Sequence, residues 1–283
     1  MADALVVGNK ARWPDDLGLQ ETAYGFVKRL RFMEACLRSH FAGRPFAQVN
    51  VLEVGCGTGT HVCIPLARLG LNVTGIDIHT ESIKYAQDAS TQYPNLHFEA
   101  LPLEDVATQA YDVVICSEVL EHITEYPAFF ANVVRTMRPG GLLIVTVPNG
   151  HSLFEAQKWI WRHGIEASGL DQLLRRVYRR FKRQRATASS FLNKDSGHVN
   201  FFYRSQLAQL FRAHHLLLER YEGRTFLCGW MVDPLLNTPR LAAVNSKLGS
   251  NLPYWAVSDW MFALTSSAPQ QQVHHGAAMD TTK

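Results

Sequence analysis

Residues 51–59 read Val-Leu-Glu-Val-Gly-Cys-Gly-Thr-Gly, an apolar run that passes directly into a glycine-rich turn. The apolar run predicts a buried strand, and an acidic residue, Glu53, lies inside it. Gly55, Gly57 and Gly59 alternate after the strand. Glycine permits positive φ and lets a ligand come close to the backbone. The stretch therefore predicts a strand followed by a ligand-binding loop.

The segments that follow indicate what kind of ligand the loop binds. Residues 61–69 can form a helix, whose free N-terminal N–H groups would face the ligand. A second apolar segment, residues 71–78, predicts a strand that carries Asp77 near its end. A nucleotide-binding α/β unit places the carboxylate that holds ribose hydroxyls about twenty residues after the first glycine. The pattern predicts a ligand that contains a nucleoside.

The spacing of the glycines separates two families of nucleotide-binding enzymes. In the dinucleotide fingerprint G-x-G-x-x-G the third glycine packs helix against strand, whereas here Gly59 comes one residue early. This disfavours an NAD-type enzyme. The motif Glu53-x-Gly55-x-Gly57-x-Gly59 with Asp77 resembles the class I S-adenosylmethionine-dependent methyltransferases, closely over residues 45–150 and loosely over 197–266. The resemblance implies that S-adenosyl-L-methionine is bound by Glu53, Gly55, Gly57, Gly59, Asp77, Ile78, Leu101 and Ser117.

Strand-like and helix-like segments alternate along the chain, which is typical of a parallel sheet wound on both sides by helices. We expect an α/β fold: a doubly wound, mostly parallel, seven-stranded sheet of the Rossmann-like methyltransferase type, with helical insertions. Segments are expected at 1–44 (arm and helix), 45–150 (cofactor-binding half), 151–196 (basic helical insertion), 197–268 (C-terminal part of the same domain, with a second insertion near 228–252) and 269–283 (disordered tail).

Composition limits the class of protein. The chain has 283 residues, of which 47% are hydrophobic and 19% charged, with a net charge of +3. These values are typical of one elaborated globular domain and disfavour a nucleic-acid partner. Five scattered cysteines indicate reduced thiols, and residues 1–10 lack the pattern of a signal peptide. We expect a cytoplasmic protein; peripheral contact with the inner face of the membrane stays open.

A second motif, Glu118-Val119-Leu120-Glu121-His122, directly follows the strand predicted at 111–116. In a helix, Glu118, Glu121 and His122 would share one face, and His198 is a fourth candidate ligand. The E-x-x-E-H motif with a distal histidine resembles two groups. One is the O-methyltransferases of ubiquinone biosynthesis, which act on catechols, and the other is the methyltransferases of the 3′-terminal ribose of small RNAs. In the latter group the matching side chains hold magnesium.

The resemblance implies a divalent metal that binds vicinal hydroxyls at Glu118, Glu121, His122 and His198. A mixed set of oxygen and nitrogen ligands leaves Mg²⁺, Mn²⁺, Fe²⁺ and Zn²⁺ open. The same motif also fits a metal-free site, in which Glu118 contacts substrate and His122 or His151 acts as the base. The predicted reaction is metal-assisted O-methylation of a catechol, sugar or polyol. Metal-free N- or C-methylation and a non-catalytic scaffold role are the alternatives.

The insertion 151–196 combines Trp159 and Trp161 with a run of arginines in residues 173–185. A lid over the acceptor pocket, a helix that docks on anionic lipid and a solvated helix face all fit this composition. Contact with RNA fits less well, because the net charge is small. The expected partner is a small-molecule acceptor, with a hydrophobic or lipid-linked one left open.

Overall fold

The fold is built around one seven-stranded sheet, seen in a computed structural model that describes residues 19–150, 197–228, 236 and 238–266. The strands lie in the order β3-β2-β1-β4-β5-β7-β6. Pairing from β3 through β5 is parallel, and β7 runs antiparallel to both of its neighbours. The strands are β1 Asn50–Val54, β2 Asn72–Ile76, β3 Leu96–Glu99, β4 Tyr111–Ser117, β5 Met137–Pro148, β6 Leu216–Gly223 and β7 Asp259–Ser266. The predicted α/β fold is confirmed.

Within the described residues, six α-helices accompany the sheet. They are α1 Phe26–His40, α2 Cys63–Arg68, α3 Thr80–Ala89, α4 Tyr126–Thr136, α5 Arg204–Ala213 and α6 Pro239–Asn251. The helix α6 lies within the predicted second insertion. The expectations for residues 151–196, which include His151, Trp159 and Trp161, and for the tail 269–283 fall outside the described residues.

Both faces of the central strands are buried, which explains why the sequence there is apolar without alternation. Successive side chains of a strand point to opposite faces. Val51 therefore joins the core layer that contains Leu30 and Met33 of α1. Leu52 joins the opposite layer, with Phe130 of α4. Because loops at the carboxyl ends of β1, β2 and β4 meet at one edge, the sequence motifs converge there.

The structure differs from the prediction where α4 meets β5. From the sequence alone, residues 125–138 are expected to form a helix that Pro139-Gly140-Gly141 ends, with the next strand over Leu142–Val147. The helix instead ends at Thr136, and β5 begins at Met137, which is fully buried and pairs with Tyr111. A register shift after Tyr111 accommodates the extra residues. Burial of the Met137 side chain outweighs the turn preference of the residues that follow.

The N-terminal helix α1 is tied to the far end of the chain through Lys28. Its ammonium group donates hydrogen bonds to the carbonyl of Gly223 at 2.5 Å and to that of Ser246 at 2.6 Å. Glu222 lies 3.6 Å from the same nitrogen. Burial of the amine lowers the pKa of Lys28 to about 8, although Glu222 opposes this shift. Lys28 therefore joins α1 to β6 and α6.

Among the residues that the structure describes, we find no helix with the length and apolar character that crossing a membrane requires.

Candidate active site

The glycine loop after β1 has the conformation that the sequence predicted. Gly55, Gly57 and Gly59 all have positive φ, between 54° and 68°. A Cβ atom at Gly59 would lie 2.1 Å from the Phe98 ring, so only glycine fits there. A Cβ at Gly57 would meet no described atom within 4 Å. The loop thus packs its third glycine against the sheet and turns its middle glycine toward open space.

Asp77 fastens this loop to the end of β2. Its Oδ2 accepts a hydrogen bond from the Gly57 N–H at 2.8 Å, and its Oδ1 accepts one from the His79 N–H at 2.8 Å. Asp77 also lines a cavity of about 400 Å³ together with Ile78, Leu101 and His122. The side chain of Ile78 is 80% exposed at the rim of this cavity. The structure thus groups Asp77, Ile78 and Leu101 as the sequence predicted.

A second cavity, of about 740 Å³, is lined by Gly55, Gly57 and Thr58 of the glycine loop. Arg29 of α1 lines it and donates a hydrogen bond from Nη1 to the Ser117 hydroxyl at 3.1 Å. Burial, followed by the charge of Arg224, lowers the pKa of Arg29. Gly55 and Glu118 line both cavities, so Glu118 lies at the boundary between them.

Glu53 contributes to the wall of the larger cavity and is only 5% exposed. Its Oε2 accepts a hydrogen bond from the Cys63 thiol at 2.8 Å. Burial raises the pKa of Glu53 to about 7, although the Cys63 hydrogen bond and Arg29 oppose the shift. The predicted cofactor-binding residue is therefore held by a thiol at the start of α2.

The predicted helical face at residues 118–122 is wrong. Glu118 has a φ of 58°, and only Leu120–His122 form a short 3-10 turn. The Glu118 carboxylate accepts a hydrogen bond from the Thr146 hydroxyl at 2.7 Å and pairs with Arg224 at 3.1 Å. Burial raises the pKa of Glu118, but Arg224 and then Arg29 outweigh burial, so the net shift is downward. The left-handed backbone turns this carboxylate toward Arg224.

Three of the four predicted metal ligands converge. Ligand atoms of Glu121, His122 and His198 lie within 4.8 Å of one another, and Glu118 does not belong to this group of described residues. The His122 and His198 ring centroids are 5.2 Å apart. Backbone N–H groups of Val199 and Asn200 donate to the Glu121 carbonyl, which brings the segment with His198 alongside the 3-10 turn.

The chemistry of this cluster fits a cation. Glu121 is 1% exposed, and its Oε2 has no hydrogen-bond partner among the described residues. Burial, and then the Glu118 carboxylate, raise the pKa of Glu121 well above its ordinary range. Its other oxygen, Oε1, lies 3.7 Å from His122 Nε2. A buried carboxylate oxygen without a hydrogen bond is costly, and a cation at Oε2 would remove that cost. Two imidazoles beside it supply the nitrogen ligands that divalent transition metals accept.

Sequence reasoning missed two arginines of the site. In the sequence, Arg29 only interrupts the apolar stripe of residues 20–41, and Arg224 carries no signal because it lies outside every motif. The structure brings Arg29, Ser117, Glu118 and Arg224 to the wall of one cavity. Their convergence depends on the packing of α1 and β6 at the edge where the strands end.

Comparison with known proteins agrees with the fold and the cofactor loop. A family model described as a methyltransferase domain matches residues 27–218. Over 128 residues the chain is 36% identical to the ubiquinone biosynthesis O-methyltransferase of Maricaulis maris. The aligned region covers 43% of this chain and 50% of that protein. The matches thus span half or less of the length of the first curated relatives.

Two solved structures share the fold at low sequence identity. A protein assigned as an S-adenosylmethionine-dependent methyltransferase of Listeria monocytogenes has a TM-score of 0.53 at 16% identity, covering 87% of this chain and 99% of that one. The magnesium protoporphyrin IX methyltransferase of Synechocystis PCC 6803, solved with bound S-adenosylhomocysteine, has a TM-score of 0.50 at 16% identity and covers 85% and 86%. Together with the matched family model, the strand order and the glycine loop, these findings establish that the chain belongs to the methyltransferase domain family, as a class I S-adenosylmethionine-dependent methyltransferase.

Proposed function

We propose that the protein transfers a methyl group from S-adenosylmethionine to one hydroxyl of a vicinal pair on a small acceptor, with a divalent cation at Glu121, His122 and His198. The observation that carries this proposal is the position of His122, which belongs to the candidate cation cluster and also lines the cavity that contains Asp77. The ubiquinone biosynthesis O-methyltransferases that the chain resembles add support for transfer to oxygen.

The residues present fit the methyl donor, which supplies a methyl group on a sulfonium sulfur. The open face of Gly57 lets a ligand approach the loop, and Asp77 offers a carboxylate for ribose hydroxyls. Ile78 and Leu101 provide apolar surface for a base. Arg29 offers a buried cation to the carboxylate of the methionine part. Holding donor and acceptor in line lowers the barrier by several kcal/mol, about 7–11 in well-oriented model reactions.

A cation at the cluster would lower the pKa of an acceptor hydroxyl and orient it, and a hydroxyl is otherwise a weak nucleophile at neutral pH. The side chains named for this role are Glu121, His122 and His198; Glu118, which the sequence also suggested, is engaged with Arg224. Because two of the three are imidazoles, Mn²⁺, Fe²⁺ and Zn²⁺ suit the site better than Mg²⁺. A catechol-type acceptor offers the two adjacent oxygens that such a site would bind.

The test is methyl transfer from labelled S-adenosylmethionine to a catechol and to the matching phenol with a single hydroxyl. We expect the catechol alone to be methylated, EDTA to abolish transfer, and Mn²⁺ or Zn²⁺ to restore it. His198→Ala should lose transfer while it keeps affinity for S-adenosylhomocysteine. His97→Ala, which changes an exposed histidine on β3, serves as the matched control.

Two results would contradict the proposal. Full activity after EDTA treatment, with His198→Ala unchanged, would favour the metal-free alternative in which His122 acts as a base. Absence of any binding of S-adenosylhomocysteine in calorimetry would remove the enzyme role altogether.

A further inference from the structure

Arg224 lies between two carboxylates at the boundary of the site. Its Nη2 donates to Asp259 Oδ1 at 2.6 Å and to Glu118 Oε2 at 3.3 Å, and its Nη1 is 3.1 Å from Glu118 Oε1. The residue is 5% exposed. Two parallel contacts between one guanidinium and one carboxylate fix both the distance and the orientation of the pair. Arg224 therefore determines where the Glu118 carboxylate points.

Three distant elements fix the position of Arg224. Its backbone N–H donates to the carbonyl of Asp259 on β7. A Cβ atom on Gly25, just before α1, would lie 2.7 Å from the Arg224 Cγ. A Cβ atom on Gly249 of α6 would lie 2.8 Å from the Arg224 carbonyl oxygen. The packing is close on both sides, so the guanidinium has little freedom to follow Glu118 elsewhere.

The contacts of Glu118 account for both of its oxygens. Oε1 accepts from the Thr146 hydroxyl and faces Arg224 Nη1, while Oε2 faces Arg224 Nη2. The cluster of Glu121, His122 and His198 forms without it. We propose that Arg224 is a positioning residue that holds Glu118 at the cofactor cavities, so that the cation site has three protein ligands instead of four. This inference rests on the proposed metal function.

Two glutamates three residues apart, Glu118 and Glu121, therefore have different roles. Glu121 serves the cation cluster, whereas Glu118 presents its carboxylate to the two cavities that it lines. Removal of Arg224 leaves Glu118 as a buried carboxylate whose charge lacks its main partner. Glu118 then becomes available to the neighbouring cation site.

Calorimetric titration of the cofactor-free protein with Mn²⁺ tests the ligand set. We expect Glu118→Gln to bind Mn²⁺ like the wild type, and Glu121→Gln to lose roughly 10-fold or more in affinity, as disturbed metal shells commonly do. Arg224→Gln should bind Mn²⁺ more tightly than the wild type. Arg224→Lys should have an affinity for Mn²⁺ between those of the wild type and Arg224→Gln. An equal loss in Glu118→Gln and Glu121→Gln would overturn the proposal, because Glu118 would then be a ligand.

A second measurement, made without metal, asks whether Arg224 acts through Glu118. Affinity for S-adenosylhomocysteine is compared among Arg224→Gln, Glu118→Gln and the double variant. If the double variant binds S-adenosylhomocysteine as tightly as Glu118→Gln does, the positioning role is supported. If the losses of binding free energy in the two single variants add up in the double variant, the role is overturned. If the wild type binds no Mn²⁺, the metal function fails and this cycle still decides the role of Arg224.

Folding controls keep both measurements interpretable. Arg224→Gln also removes the partner of Asp259, so Asp259→Asn separates that effect, because it leaves the pair between Arg224 and Glu118 in place. Thermal unfolding shows which variants fold. If Arg224→Gln does not fold, the Mn²⁺ titration of Glu118→Gln and the cycle with Arg224→Lys decide the question.

Discussion

The Asp77 carboxylate accepts a hydrogen bond from the Gly57 N–H across 2.8 Å, so the residue expected to hold the ribose also shapes the loop beside it. We expect Asp77→Ala to lose affinity for S-adenosylhomocysteine by roughly 10- to 150-fold, since hydrogen bonds to charged groups contribute about 1.5–3 kcal/mol each. Asp77→Asn should lose less. Calorimetry measures the affinity, and Asp88→Asn on the exposed face of α3 is the control. Equal affinity in all variants would contradict the assignment of this cavity.

A comparison of Gly57, in the loop, with Gly70, which follows α2, can distinguish a glycine required for backbone conformation from one required for ligand binding. Gly57→Ala and Gly70→Ala both place a Cβ at positive φ where no described atom lies within 4 Å. Each should lower the free energy of unfolding by about 1–2 kcal/mol through backbone strain. Only Gly57→Ala should also weaken binding of S-adenosylhomocysteine, because its Cβ would point at the ligand. Urea unfolding and calorimetry on both variants check this, and equal affinities would show that Gly57 does not face the ligand.

Gly59→Ala should behave differently, because its Cβ would lie 2.1 Å from the Phe98 ring. The ring has to move within a packed core, and such overpacking typically costs about 1–3 kcal/mol in addition to the backbone strain. We therefore expect a larger loss in urea unfolding than for Gly57→Ala. A smaller loss would mean that the helix α2 and the sheet adjust around the new methyl group.

The buried carboxyl group of Glu53 should make the stability of the protein depend on pH. Its pKa is raised from 4.5 to about 7 in the folded protein, so the folded state binds more protons than the unfolded state between these values. The free energy of unfolding should therefore fall as the pH rises from 4.5 to 7, by roughly 3 kcal/mol from this group. Glu53→Gln removes the contribution, so its stability relative to wild type should increase between pH 5 and pH 8.

Urea unfolding followed by circular dichroism at pH 5 and pH 8 measures that difference. Glu99→Gln makes the same change on an exposed strand position and should leave the relative stability flat. Other buried acids, such as Asp259, titrate alike in all three proteins and cancel in the comparison. Parallel pH profiles for wild type and Glu53→Gln would show that the carboxyl is not buried as described.

Arg29 is expected to recognise the charged end of the methyl donor. Arg29→Ala should lower the affinity for S-adenosylhomocysteine by roughly 10- to 150-fold, because one hydrogen bond to a charged group is lost. Binding of 5′-methylthioadenosine, which lacks the amino-acid end, should not change. Arg29→Lys should recover part of the loss, because it keeps the charge but not the planar fork. Equal losses for both ligands would mean that Arg29 maintains the cavity wall through Ser117 and does not contact the carboxylate.

The sequence predicts the cofactor loop because its requirements are local. Positive φ at Gly55, Gly57 and Gly59 and a carboxylate at the end of β2 depend on residues close in the chain. The buried strands are also predictable, since a sheet covered on both faces needs uninterrupted apolar residues. The early start of β5 at Met137 was not predictable, because burial of one side chain overrides the turn signal of Pro139 and Gly140.

The rest of the site depends on contacts between residues far apart in sequence. Glu118 has a left-handed backbone conformation that could not be predicted from its residue type. Its partner Arg224 lies 106 positions away in the sequence. The helical spacing of the motif therefore predicted one shared face, whereas in the structure Glu121 groups with His122 and His198, and Glu118 contacts Arg224. His198 was predicted as a distant candidate ligand, and its approach to Glu121 follows from backbone hydrogen bonds that no local pattern encodes.

The tie formed by Lys28 has a consequence for the order in which the protein is made. The lysine leaves the ribosome before its acceptors Gly223 and Ser246, which follow 195 and 218 residues later. Because Arg29 is the next residue along α1, we expect it to take its place beside Ser117 only when these contacts hold the helix. We therefore expect a nascent chain that has completed only the glycine loop to lack affinity for S-adenosylmethionine until Gly223 and Ser246 have been made.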